Sequence, residues 1–188
     1  MLTSILIGLA VLVVLFVIVV ASRPSDFSIS RSAAIAAPAE IVFNQVNTLR
    51  SWEAWNPWGK LDPNIKMTYD GPPAGVGASY AWTGNSKVGE GRSTIVESKS
   101  AQLVRFRLEF MKPMKAINTA EFTFKPDGDQ TAVTWTMNGK CNFVGKAFGL
   151  LFNCDKMIGC QFEQGLAAMK SVAESTVGKQ QPVEASRI

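Results

Sequence analysis

Three tryptophans crowd into one short stretch, Trp52-Glu53-Ala54-Trp55-Asn56-Pro57-Trp58. An indole offers a large rigid apolar area and a single N–H donor, so such a cluster can seat an apolar molecule and orient it through one hydrogen bond. It can equally pack as a cap where short helices meet a sheet. On a helix Trp52 and Trp55 share a face, while Pro57 ends the helix and redirects Trp58. Further along, aromatic and large apolar residues recur at alternate positions: Tyr80 and Trp82, Phe106 and Phe110, Phe122 and Phe124, Trp135 and Met137. Alternation of this kind sends them to one face of a sheet. Phe162 and Leu166 face them from a C-terminal helix. These residues make either a filled core or the lining of an apolar pocket. Tyr80 is the best candidate for a polar group inside such a pocket.

Other chemistries find little support. The chain has no histidine, which removes imidazole bases, His-ligated metals and His-activated nucleophiles. Glu109 and Glu121 alternate with apolar neighbours and belong on a wet face. Glu90 and Arg92 lie in a glycine-bent strand whose facing is ambiguous; turned inward, they could polarise a carbonyl. Gly75-Val76-Gly77 and Gly89-Glu90-Gly91 lack the third glycine of a dinucleotide loop, and Gly145-Lys146 is followed by Ala147, not by the Ser or Thr of a phosphate loop. The cysteines Cys141, Cys154 and Cys160 are odd in number and contain no CxxC pair, so neither a disulfide framework nor a zinc site is implied. No cofactor and no metal is expected. The net charge of +4 is scattered, unlike the basic patch of a nucleic-acid-binding protein.

The element that positions the whole chain is N-terminal. From Leu2 to Ala21 no side chain is charged, and about 20 such residues cross a bilayer core of about 30 Å. A buried core helix is the bland alternative. A cleaved signal peptide is another, with Val19-Val20-Ala21 as a cleavage site, but no Lys or Arg precedes the run and it exceeds the usual h-region. Residues 1–22 are read as a retained transmembrane anchor. Arg23 and Arg31 follow the span against Asp26, which favours a single-pass protein with its domain in the cytoplasm.

Residues 23–26 form a linker, 27–176 one domain and 177–188 a flexible tail. Phe27 to about Ala36 reads as a strand, and Pro38 with Glu40 starts a helix carrying Ile41, Val42, Gln45, Val46 and Leu49. Strands follow over 65–69, 78–83, 88–97, 103–110, 118–125 and 131–137, with a hairpin turn at Asp127-Gly128-Asp129. A shorter helix spans about 143–152. Ile158, Phe162, Leu166, Met169 and Val172 then give a long amphipathic helix over about 155–175. The expected fold is α+β: a curved antiparallel sheet of about seven strands wrapped around the long C-terminal helix, two short helices after the first strand, and one transmembrane helix in front.

Several motifs, in order, resemble the SRPBCC superfamily of START-like, helix-grip domains, in its polyketide cyclase/dehydrase-like branch. They are Ala37-Pro38-Ala39-Glu40-Ile41-Val42-Phe43, the tryptophan cluster with Pro57, Gly75-Val76-Gly77, Lys87-Val88-Gly89-Glu90-Gly91, Asn118-Thr119-Ala120-Glu121-Phe122-Thr123-Phe124, Val133-Thr134-Trp135 and Asp155-Lys156-Met157-Ile158-Gly159. The resemblance covers roughly Phe27 to Val172. It implies a deep cavity between sheet and helix that takes lipids, sterols, isoprenoids or polyketides, and no single catalytic set. The leading expectation is a membrane-anchored binding module for a hydrophobic small molecule or lipid. An enzyme of the cyclase or dehydratase type would need an inward acid or base with a perturbed pKa. A co-chaperone-like interaction module would need an exposed apolar patch outside the cavity. Oligomeric state is not legible.

Overall fold

The computed structural model describes residues 2–180. Helix α1 (Leu2–Ser22) leads into β1 (Asp26–Ile35), α2 (Ala39–Asn47) and two 3-10 turns, Leu49–Ala54 and Pro57–Lys60. Then come β2 (Lys66–Asp70), β3 (Ser79–Thr83), β4 (Glu90–Lys99), β5 (Leu103–Lys112), β6 (Ala116–Asp127) and β7 (Gln130–Lys140), and finally α3 (Phe143–Leu151) and α4 (Cys154–Gln180). The strands form one antiparallel sheet in the order β1-β7-β6-β5-β4-β3-β2. This is the helix-grip arrangement, preceded by one apolar N-terminal helix.

Alternation decides which face α4 covers. On β6, Asn118, Ala120, Phe122 and Phe124 are buried, and on β7 Val133, Trp135 and Met137 are. Phe162, Leu166, Met169 and Ala173 of α4 are buried against them. The Phe162 ring lies parallel to Trp135 at 4.0 Å. Gly165 makes the close approach possible, because a Cβ there would meet the Trp135 ring at 2.9 Å and Pro57 at 3.2 Å. The opposite face is wet and ion-paired: Arg105 bridges Glu97 and Glu121, and Arg107 meets Glu109 at 3.1 Å.

Two details correct the sequence reading. Pro57 does not end a helix; it opens the second 3-10 turn, where its missing N–H costs nothing. The last helix does not stop near Ser175 but runs to Gln180. Gly178 therefore lies within it, and residues 181–188 of the expected tail lie outside the described ones.

An ion cluster clamps the first strand to the last helix. The Arg31 guanidinium donates to Glu163 at 2.7 Å and to Asp155 at 2.9 Å. That hydrogen bond holds the Asp155 carboxyl below its ordinary value. A lowered folded-state value means the clamp acts fully above the ordinary aspartate range, near 3.9, and is lost as pH falls below it. Amide protection in the first turns of α4 should therefore drop in that acid window. In Arg31→Met protection should already be low at neutral pH and show no acid step. Hydrogen exchange across a pH series checks this, and an acid step that survives in the variant would refute the clamp.

Candidate functional site

The small residues of the inner face determine where a hollow forms. Successive rungs of the sheet read Trp82–Gly91–Phe110, Tyr80–Ser93–Leu108 and Phe106–Ala120–Met137. Gly91, Ser93 and Ala120 leave space that their large neighbours surround. The Trp82 indole lies across Gly91 so closely that a Cβ there would sit 2.5 Å from the ring and 2.6 Å from the Glu109 carbonyl oxygen. The result is a cavity of about 180 Å³ between sheet, 3-10 turns and α4. Its wall includes Trp52, Asn56 and Trp58 from the turns, the three rungs except Gly91, Ile65, Met67, Val88 and Trp135, and Ile158 and Phe162 from α4.

Of the residues singled out from the sequence, Trp52, Trp58, Tyr80, Trp82, Phe106, Phe110, Trp135, Met137 and Phe162 are on this wall. Trp55, Phe122, Phe124 and Leu166 are buried in the packed core and do not line it. Phe122 stacks behind Trp135 at 4.6 Å, and Phe124 meets Phe43 of α2 edge-on at 5.7 Å. Leu166 lies one helical turn beyond Phe162. The wall also holds Asn56, Ile65, Met67, Val88, Ser93, Leu108, Ala120 and Ile158, which sequence reasoning passed over. For Ala120 a signal existed: it is a small residue at an inward position of a strand whose next inward positions are Phe122 and Phe124.

The tryptophan cluster does two jobs. A helix leaves its last carbonyls without intrahelical partners. The Trp52 indole N–H donates to the Val46 carbonyl at 2.9 Å, and that of Trp55 to Gln45 at 3.1 Å. The two rings, three apart on a 3-10 turn where such positions eclipse, lie 4.4 Å apart. Capping and cavity lining thus coexist, with Trp52 serving both.

The polar inventory of the wall is short and neutral. Asn56 accepts from the Trp58 amide at 3.0 Å. Ser93 Oγ and Trp135 Nε1 are buried without a hydrogen-bond partner among the described residues. A buried unpaired donor is costly and calls for a partner that the fold itself does not supply. Burial pushes the Tyr80 phenol well above its ordinary value; the Ser93 hydroxyl lies near enough to oppose this as a donor, though outside full hydrogen-bond geometry. Tyr80 therefore keeps its proton through the neutral range and acts as a donor, not a base. No carboxylate, lysine or arginine is among the wall residues described. Glu90 and Arg92 turn to the outer face, where Glu90 pairs with Lys112 at 2.8 Å and Arg92 approaches Asp70 at 3.9 Å.

This fold and site find counterparts among known proteins. The family model for polyketide cyclase/dehydrase and lipid transport proteins matches residues 26–174. The chain belongs to that family. No curated protein matches the sequence. Among solved structures, a protein of Chromobacterium violaceum is similar with a TM-score of 0.59 at 12% identity, covering 78% of this chain and 96% of that one. The di-domain ARO/CYC protein StfQ of the steffimycin biosynthetic pathway gives 0.60 at 10%, covering 82% of this chain and 52% of that one. The Aha1 dimer of Colwellia psychrerythraea gives 0.53 at 16%, covering 79% and 96%. At these identities the likeness is one of fold. Family membership and fold together place the chain among hydrophobic ligand-binding or cyclase modules.

Proposed function

We propose that the protein is a membrane-anchored binding module for a small hydrophobic molecule that carries one polar atom. The observation supporting this is the apolar cavity on whose wall Ser93 Oγ and Trp135 Nε1 are buried without a hydrogen-bond partner among the described residues, beside the protonated Tyr80 phenol. All three can donate a hydrogen bond, so a carbonyl, ether or hydroxyl oxygen on an otherwise apolar ligand satisfies the site. Volume limits the ligand further. An apolar cavity of about 150 Å³ accommodates benzene, so about 180 Å³ suits one ring or the end of one chain.

Helix α1 supplies the address. It is long and apolar enough to cross a bilayer, all but Val20 of its described side chains are exposed, and Arg23 follows it, with the domain on the cytoplasmic side. A hydrophobic ligand partitions into membranes, and a tethered cavity collects it there. Among its described residues the wall offers a hydrogen-bond donor for a ligand oxygen and no carboxylate or lysine to remove a proton, which favours holding a ligand over transforming it.

Native mass spectrometry of the full chain, released from mild detergent, tests this directly. The expected result is a stoichiometric apolar adduct, with p-cresol shifting the methyl resonances of Met67 and Met137 more strongly than toluene does. An empty protein whose methionines respond to neither probe would refute the binding reading.

A further inference from the structure

Apart from Val76 and Val96, the large apolar residues left exposed by the domain gather at one end of the sheet. The tip of the β5–β6 hairpin exposes Met111 (52%), Met114 (46%) and Ile117 (61%) beside Lys112 and Lys115. Helix α3 exposes Phe143, Val144 and Phe148 around Lys146, and Phe152 follows it at 49% exposure. Register shows that the two pieces share an end. Thr119 pairs with Asn138 and Asp26 with Lys140, so Ile117 falls beside Lys140, the residue from which the chain turns into α3.

The membrane helix departs from that same end. Only Arg23, Pro24 and Ser25 separate α1 from β1. Three residues and their flanking bonds span at most about 14 Å. The tether is shortened further because the Cys141 amide donates to the Ser25 carbonyl at 2.7 Å. The end of α1 also contacts α3, with Val20 fully buried. If α1 crosses a bilayer, this end of the sheet cannot leave its surface. Phenylalanine and methionine interleaved with lysine is the pattern of an interfacial segment, with apolar groups at the acyl boundary and ammonium groups among headgroup phosphates.

We propose that α3 and the β5–β6 hairpin tip form a docking face for the phospholipid bilayer that α1 crosses. The inference rests on reading α1 as a membrane-crossing helix, and it deepens the proposed function. Phe110 and Val88 of the cavity wall adjoin the hairpin end, and Ile158 adjoins the start of α4 just after α3. Docking therefore holds the cavity in the half of the domain nearest the lipid, and a hydrophobic ligand has a short path between the two. A protein partner is the rival occupant of the same patch. The three-residue tether favours lipid, because it leaves little room for a protein between this face and the membrane.

Photocrosslinking of the full chain in phospholipid nanodiscs separates these cases. Benzoylphenylalanine is placed singly at Met114, at Phe148, at Leu9 within α1, and at Asp129 in the hairpin at the far end of the sheet. Mass analysis should find phospholipid adducts at Met114, Phe148 and Leu9 and none at Asp129. Adducts at Leu9 alone would overturn the docking face while leaving the anchor intact. Capture of polypeptide in place of lipid at Met114 and Phe148 would overturn it in favour of a protein partner. If Leu9 fails to label, the anchor reading falls, and the docking face that rests on it falls with it. The readout needs no cavity ligand, so it is independent of whether the binding reading survives.

Discussion

Ala120→Phe is expected to weaken ligand uptake by roughly 10- to 100-fold while leaving the domain folded. Ala120 is 4% exposed, lies on β6 between Phe106 and Met137, and forms part of the cavity wall. A phenyl group there occupies the space that a cavity of this size offers to one benzene-like ring. A ligand denied that space forfeits the burial of an aromatic or aliphatic group, about 1.5–3 kcal/mol, or roughly 10- to 100-fold in affinity. Stability moves little, because the added ring is itself buried and offsets the strain of a tighter fit, about 1–3 kcal/mol. Titration with p-cresol, read on the Met137 methyl signal, and thermal unfolding measured side by side check both halves. Unchanged binding in a folded variant would place the ligand elsewhere. A smaller change at the same wall, Ser93→Ala, should preserve toluene binding and remove the preference for p-cresol.

The sequence exposed the fold through its two periods. Period two in Leu103 to Phe110 and Thr131 to Met137 identified strands and their inner faces, and the spacing of Ile158, Phe162, Leu166 and Met169 identified the helix that covers them. These patterns survive because burial on one face is a local property, repeated residue by residue. The site was less legible. Phe122 and Phe106 carry the same local signal, yet Phe106 lines the cavity and Phe122 packs behind Trp135. What separates them is the size of their cross-strand neighbours, and that depends on register between segments distant in sequence. Gly91 and Ser93 acquire meaning only once they stand opposite Trp82 and Tyr80. From the sequence Arg31 reads as a charge flanking the membrane helix; its grip on Asp155 and Glu163 spans the domain and has no local sign at all. The exposed Met111, Met114 and Ile117 form a patch only once the sheet register brings them to the end from which α3 leaves.

Trp52→Ala should be the most destabilising single change among the wall residues, because it removes packing and a cap together. The ring is 4% exposed and lies 5.4 Å from Phe106, 5.7 Å from Phe122, and 6.1 Å from both Tyr80 and Trp135, besides its contact with Trp55. Truncating a buried tryptophan costs about 3–5 kcal/mol. The Val46 carbonyl at the end of α2 also loses its donor, adding about 1 kcal/mol or more. Against a total stability of about 5–15 kcal/mol, that removes a large fraction and can unfold the domain outright. Trp52→Phe separates the two contributions. It keeps much of the ring and loses the N–H, so it should cost clearly less than the alanine variant while loosening the C-terminal turn of α2. Chemical denaturation gives the totals, and hydrogen exchange at Asn47 and Thr48 reports the cap. If alanine and phenylalanine variants were equally destabilised, the N–H would outweigh the packing, and the aromatic cluster would matter chiefly as a helix cap. If the alanine variant lost little, the cavity would be collapsing to fill the gap, and the volume that limits the ligand would be set by adaptable side chains and not by a rigid wall.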